Sequence, residues 1–341
     1  MLHRHGTDRR SVEDGISEVV GFVVILAVLM ASLSLYLTYA VPVQGREEEI
    51  KVMDGVRAWF VDYKTGVDQL WLNSPMMPDP GDPLLFNATI QQVTLRKVID
   101  TGTTREKGLV GRFMPVLAPI PASAGMSVRN TENFTIRANR SETVVLTWTN
   151  AAPAISYTSY NYYWLQQEYY YQLGGVFLRQ WDARGGPETE NVTMIAAPPI
   201  SIYGYVPEEG GTGYQTKVSV VVVNQTVLTG GVGATSPVRI ETRLDGDPTR
   251  PDTGSGSAGY SEVSLQFDAA SNQTAAAWKK MFDGAASRNR VTTPYTSHQD
   301  GNTAWINISG TGVNPPTNDV LLELLVANYT ARMGNVPTMI E

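Results

Sequence analysis

No cysteine occurs in this chain, which removes disulfides, thiolate metal sites and cysteine nucleophiles together. Histidine is nearly as scarce: His3 and His5 sit at the very start, and only His298 lies in the body, where it reads as a surface loop residue. Charged residues make up 17% of the 341 positions, with a net charge of −7. That balance gives no electrostatic reason to bind nucleic acid, and no nucleic-acid partner is expected. His-x-x-x-His, Gly-x-Ser-x-Gly and a phosphate-loop Gly-Lys-Ser/Thr are missing too. Carboxylate pairs such as Glu208-Glu209 read as loop charge. The sequence therefore assigns no catalytic residue, no metal ligand and no cofactor. There is also no repeat at a solenoid period.

What the chain does have is a long apolar run. From Val19 to Val43 no side chain is charged. As a helix rising 1.5 Å per residue this run measures about 37 Å, enough to cross a ~30 Å hydrocarbon core with some tilt. A secretory signal peptide would have a shorter apolar core followed by a small-residue cleavage site. No such site follows at Val41-Pro42-Val43, so the helix is expected to stay on the protein, with membrane lipid as its partner. Pro42 is expected to kink or end it, and Gly45 weakens the same place. Arg4, Arg9 and Arg10 precede the run while Arg46 and Lys51 follow it, so the positive-inside bias is slight.

Gly15-Ile16-Ser17-Glu18-Val19-Val20-Gly21-Phe22 opens this run. The stretch resembles the N-terminus of archaeal type IV pilin-like proteins, which carry a class III signal peptide. The resemblance covers roughly residues 9 to 45. It implies that residues 1–15 are a leader, cut between Gly15 and Ile16 by a prepilin-type peptidase on the cytoplasmic side. Where the family often has a basic residue before the glycine, this chain has Asp14. The resemblance also implies an assembly role for Glu18, whose carboxylate would neutralise the new ammonium of Ile16 in the same or a neighbouring subunit. An interfacial charge marking the helix start is the plainer account of Glu18.

Beyond Gly45 an amphipathic pattern resumes. Met53, Val56, Phe60, Tyr63, Val67 and Leu70 make a heptad seam, suited either to packing on the chain's own body or to self-association. Glu47, Glu48 and Glu49 would occupy the first turn of this helix, where carboxylates suit the positive end. The proline-rich stretch from Asn73 to Pro83 then breaks the pattern. After it, short runs rich in Val, Ile, Thr and Tyr predict strands: Leu85 to Val98, Ser141 to Trp148, Tyr160 to Gln180 with a turn at Gly174-Gly175, Val192 to Tyr205, Lys217 to Leu228, Val238 to Leu244, Val263 to Phe267, Thr303 to Ile308, and Val320 to Tyr329. Asp268 to Ser287 predicts one helix, capped by Ser271 or Asn272. The aromatic cluster of Tyr162, Tyr163, Trp164 and Tyr169 to Tyr171 is assigned to sheet core and cross-strand pairing, with a carbohydrate-binding surface as the alternative. Asp245, Asp247 and Asp252 faintly suggest a calcium loop but lack its glycine and bidentate glutamate, so they read as a solvated turn.

The expected fold is α+β: a long N-terminal hydrophobic and amphipathic helix (16–73), then a mainly antiparallel β-sandwich head (74–341) with one short helix. Eight Asn-x-Ser/Thr sequons follow the apolar run, at Asn87, Asn133, Asn139, Asn191, Asn224, Asn272, Asn307 and Asn328. With Ser and Thr at about 16% of the chain and 17 asparagines, chance would leave about three. The excess favours glycosylation and places the head outside the cell on a single-pass anchor. The resemblance then implies a surface structural or adhesive protein able to self-assemble through its N-terminal helix. A membrane-anchored ectoenzyme or carbohydrate-binding module that does not polymerise is the alternative. Intact-mass spectrometry of native protein is expected to read above the bare polypeptide, and a mass equal to it would remove the glycan reading.

Overall fold

The computed structural model describes residues 10–73, 93–102, 117–141, 143–182, 190–205, 215–228, 231–233, 237–251, 259–288, 291, 293–311 and 317–335. It begins with one long helical rod. Helix α1 (Arg10–Leu35) runs into a π-helical turn (Tyr36–Ala40) and then into α2 (Val41–Leu72). The helix does not end at Pro42, which falls in the first turn of α2. Instead the disturbance is taken up just before it. Val41 N–H bonds to the Tyr36 carbonyl, five residues back, so the missing proline donor is accommodated by a local i→i−5 register rather than a break.

Among the described residues the head contains sixteen strands in three sheets, with antiparallel pairing throughout except in one pair. The first sheet joins β1 (Thr94–Ile99), β12 (Val238–Leu244), β16 (Val320–Asn335), β10 (Gln215–Val227) and β9 (Ile200–Tyr205) in that order. Within it β10 and β16 run parallel over Thr216 to Val227. The second sheet joins β11 (Gly231–Gly233), β2 (Ser123–Arg129), β5 (Ala154–Tyr160), β6 (Gln166–Gln172), β7 (Gly175–Trp181) and β8 (Asn191–Ala196). The third joins β14 (Tyr295–Asp300), β15 (Thr303–Ser309), β13 (Glu262–Asp268), β3 (Asn133–Arg140) and β4 (Thr143–Ala151). Helix α3 (Asn272–Arg288) lies against β14, β15, β8 and β9.

Two cores share the strands of the first two sheets. Tyr169 and Tyr171 of β6 face α2, while Tyr170 faces the core around α3. Likewise Val218, Val220 and Val222 of β10 join the α3 core and Val223 the α2 core. A strand covered on both faces needs apolar residues at successive positions, which accounts for the Val220–Val223 and Tyr169–Tyr171 runs. In the α3 core, Trp278 is fully buried, stacked on Phe267 at 4.2 Å between ring centres and flanked by Phe177 at 5.7 Å.

Several expectations shift in detail. The turn after β6 is Leu173-Gly174, both at positive φ (47° and 79°), one residue before the expected Gly174-Gly175. That conformation is the two-residue turn whose twist matches the hairpin strands. Helix α3 begins at Asn272 rather than Asp268, because Asp268 completes the β13 ladder against Asn133 and Thr303. Ser271 is its cap, accepting from the Thr274 N–H at 3.2 Å. Strand β16 runs six residues past Tyr329 to Asn335, and β2, β3, β5, β11 and β14 were not foreseen. His298 is on exposed edge strand β14 rather than in a loop, its ring 5.0 Å from Trp305. Trp278→Ala is expected to cost about 3–5 kcal/mol through the cavity it leaves, measured by denaturant unfolding in detergent.

Candidate membrane-proximal clamp on the long helix

The rod has two surfaces. Every residue from Glu18 to Leu35 is exposed, and Glu18–Leu72 is a helix long and apolar enough to cross a membrane. From Val41 upward one stripe is buried instead: Val41, Gly45, Glu49, Met53, Val56, Phe60, Tyr63, Val67 and Trp71. The foreseen seam is thus extended downward, and ends on Trp71 rather than the half-buried Leu70. The stripe packs on the chain's own head, with Phe60 over Tyr169 at 6.1 Å and Tyr63 edge-on to Tyr171 at 5.1 Å.

Polar contacts fix the register. Tyr63 Oη lies 2.7 Å from Thr242 Oγ1 on β12 and accepts from Gln225 Nε2 on β10 at 3.1 Å. Burial pushes the Tyr63 hydroxyl up to about 12, with those two hydrogen bonds pulling the other way; it stays a neutral partner. Tyr329 Oη donates to the Val67 carbonyl at 3.1 Å, and Trp59 Nε1 donates to the Val98 carbonyl at 2.8 Å. Each partner lies on a different strand, so sliding the helix by one turn would break all of them.

At the lower end the loop between β5 and β6 grips the helix. Asn161 shapes it, accepting from Ser159 Oγ at 2.6 Å and donating through Nδ2 to the Leu165 carbonyl at 2.7 Å. The loop's peptide groups then converge on Glu49, which is 2% exposed. Its Oε1 accepts from Tyr162 N at 2.7 Å and its Oε2 from Tyr163 N at 3.0 Å. Burial pushes the carboxyl above the ordinary carboxylate range, and the peptide N–H groups of Tyr162, Tyr163 and Trp164 pull it back. Successive N–H groups cradling one anion make a backbone nest. One turn below, a Cβ on Gly45 would fall inside the Tyr163 ring. Arg46 places its guanidinium 4.1 Å from the centre of the Trp164 ring.

Sequence reasoning missed this constellation. Glu49 is not in a first helical turn, since the helix runs on below it, and its charge meets loop amides rather than a helix end. The available signal was the four-residue spacing of Val41, Gly45, Glu49 and Met53, which continues the seam through a glycine and a carboxylate. Tyr162, Tyr163 and Trp164 belong to the loop, whereas Tyr169 to Tyr171 belong to the cores.

The other predicted positions are scattered. The Gly15–Ile16 bond lies within α1 and Glu18 is exposed. Among the sequons, Asn133, Asn191 and Asn272 are exposed, and Asn87 lies outside the described residues. Asn139 donates to Glu262 at 2.9 Å, Asn307 is half-buried on β15, and Asn224 donates to Asn328 at 2.8 Å across the parallel β10–β16 ladder. Asp245 is held by Arg243 at 3.1 Å, while Asp252 and Glu208-Glu209 lie outside the described residues. Among the described residues no group of three His, Cys, Asp or Glu side chains is placed to hold a metal ion. A half-buried ionic chain links Arg129 to Glu168 (3.4 Å), Glu168 to Arg179 (3.0 Å) and Arg179 to Glu190 (2.9 Å), with only Glu168 fully buried. Arg179 also donates to Thr274 of α3 at 3.2 Å, so these charges tie the second sheet to α3.

No family model matches the chain, and no curated protein or solved structure does.

Glu49→Ala strands two buried or half-buried donors and is expected to destabilise the helix–head junction by about 1–3 kcal/mol. Gly45→Val is expected to expel the Tyr163 ring. Hydrogen exchange of the 161–165 amides in detergent would rise in both variants.

Proposed function

We propose that the chain is a pilin-like cell-surface structural protein, exported and held by a retained N-terminal helix, that forms or decorates a surface filament or envelope. One observation carries the reading: a single helix is wholly exposed and apolar over Val19 to Leu35, yet is the core of the head above Val41. A bare apolar rod is not stable in water and must be covered, either by lipid or by the same helix of neighbouring subunits. The head hangs rigidly on the upper half, so whatever covers the lower half positions the head. The Gly15-Ile16-Ser17-Glu18 resemblance supplies the leader cut and the assembly role of Glu18. The three exposed sequons accord with an extracellular head on a single-pass anchor.

Peptide mapping of membranes and of sheared surface filaments is the test. We expect an N-terminal peptide beginning at Ile16 and a head cleavable by protease added to intact cells. Recovery in sheared filaments would identify a filament subunit, and recovery in membranes alone an anchored envelope component. A soluble chain still beginning at Met1 would overturn the proposal.

A further inference from the structure

We infer that the underside of the head, around the β5–β6 loop, is a membrane-docking collar that rests in the headgroup region of the outer leaflet. The inference rests on the anchored-helix reading and adds to it a second, separate contact with lipid.

Height comes first. From Glu18, the last charge before the apolar run, to Gly45, where the loop meets the helix, the rod rises about 40 Å at 1.5 Å per residue. A bilayer with its headgroup regions is about 40–45 Å thick. A tilt of ~20° shortens the rise by only about 2 Å. With Glu18 at the inner boundary, the loop therefore meets the outer headgroup layer rather than open water. Helix and sheet climb away from that level together: Gly45 meets Tyr163, Phe60 meets Tyr169 and Tyr63 meets Tyr171. The loop is thus the low end of the second sheet.

Composition comes second. Large apolar and aromatic side chains are left uncovered at this end. Tyr160 is 56% exposed, Tyr162 64%, Ile120 53% and Leu165 39%. They belong together in the fold. Tyr160 ends β5 opposite Ser123, Ile120 donates its N–H to Tyr163 Oη at 3.2 Å, and Leu165 closes the loop on Asn161. Tyr39 of the π-turn, 69% exposed, stands just below on the rod itself. Tyr and Trp with apolar bodies and polar tips are favoured at the headgroup level, and Arg46, one turn below Glu49, supplies a cation for phosphate. Glu49 is turned inward onto the peptide N–H groups of the loop, while Glu47 and Glu48 in the same turn are exposed.

The absence of native cysteine makes single-thiol labelling direct. An environment-sensitive fluorophore is attached to Leu29→Cys in the apolar run, Tyr162→Cys in the collar, or Val144→Cys on β4. Each full-length protein is reconstituted in phosphatidylcholine vesicles with and without acyl chains brominated near the headgroup or near the bilayer centre. We expect deep bromines to quench Leu29→Cys, shallow bromines to quench Tyr162→Cys with a blue shift, and neither to affect Val144→Cys. Quenching at Leu29 with Tyr162 as unquenched as Val144 would overturn the collar and leave the spanning helix standing. No quenching at Leu29 would overturn the anchored reading and the collar with it. A Tyr162 probe that blue-shifts with protein concentration but is not quenched by brominated lipid would assign the patch to a neighbouring copy and overturn lipid docking.

Discussion

The burial of one face of α2 by the strands of the head is the contact on which the rest of the molecule depends. Along it, Phe60, Tyr63 and Val67 lose all contact with water, and their partners come from β6, β10, β12 and β16. These strands are far apart in sequence, so the helix is the surface on which the first two sheets meet. Tyr63 is the clearest instance: its hydroxyl reaches Thr242 and Gln225 while its ring meets Tyr171. Without the helix, that face of both sheets would expose a continuous aromatic and aliphatic surface.

Covering that face has a consequence for the other. Strands β6 and β10 are buried on both sides and carry unbroken apolar runs, and they lie between two cores instead of bounding one. The α3 core, centred on Trp278, is closed from the far side by the third sheet. A chain of alternating charge runs along the edge of this core, from Arg129 through Glu168 and Arg179 to Glu190. Such chains are weak evidence for stability, because desolvation offsets much of their attraction. Here Arg179 and Glu190 also bond Thr274 and Ser271 at the start of α3.

How much of this was legible follows from what each signal encodes. Length and lack of charge made the apolar helix plain, and the three-and-four spacing of Met53 to Val67 made its buried stripe plain. Runs such as Val238–Leu244 alternate cleanly, so that strand was found at its observed bounds. Strands β3 and β5 were not, since Asn133-Phe-Thr-Ile-Arg-Ala-Asn-Arg140 and Ala154-Ile-Ser-Tyr-Thr-Ser-Tyr160 are too polar to stand out from flanking turns. Their strand character comes from the ladders that flank them. The clamp was hidden for a related reason. Nothing near Glu49 in sequence reveals that its partners are peptide N–H groups more than a hundred residues away. Gly45 suggests helix weakness by propensity, and only the ring of Tyr163 shows why a side chain there would not fit.

The π-turn at Tyr36–Ala40 has a geometric effect beyond sparing Pro42 a clash. A residue added to one turn of an α-helix displaces everything beyond it in phase by about 100° around the axis. The azimuth of the head relative to the lower rod is therefore set by five residues with no buried side chain among them. Whatever face of the lower rod meets its surroundings, the compass direction in which the head points is written in Tyr36-Leu-Thr-Tyr-Ala40. Loss or gain of a single residue there would swing a body of some 270 residues through a quarter-turn without altering one contact inside it.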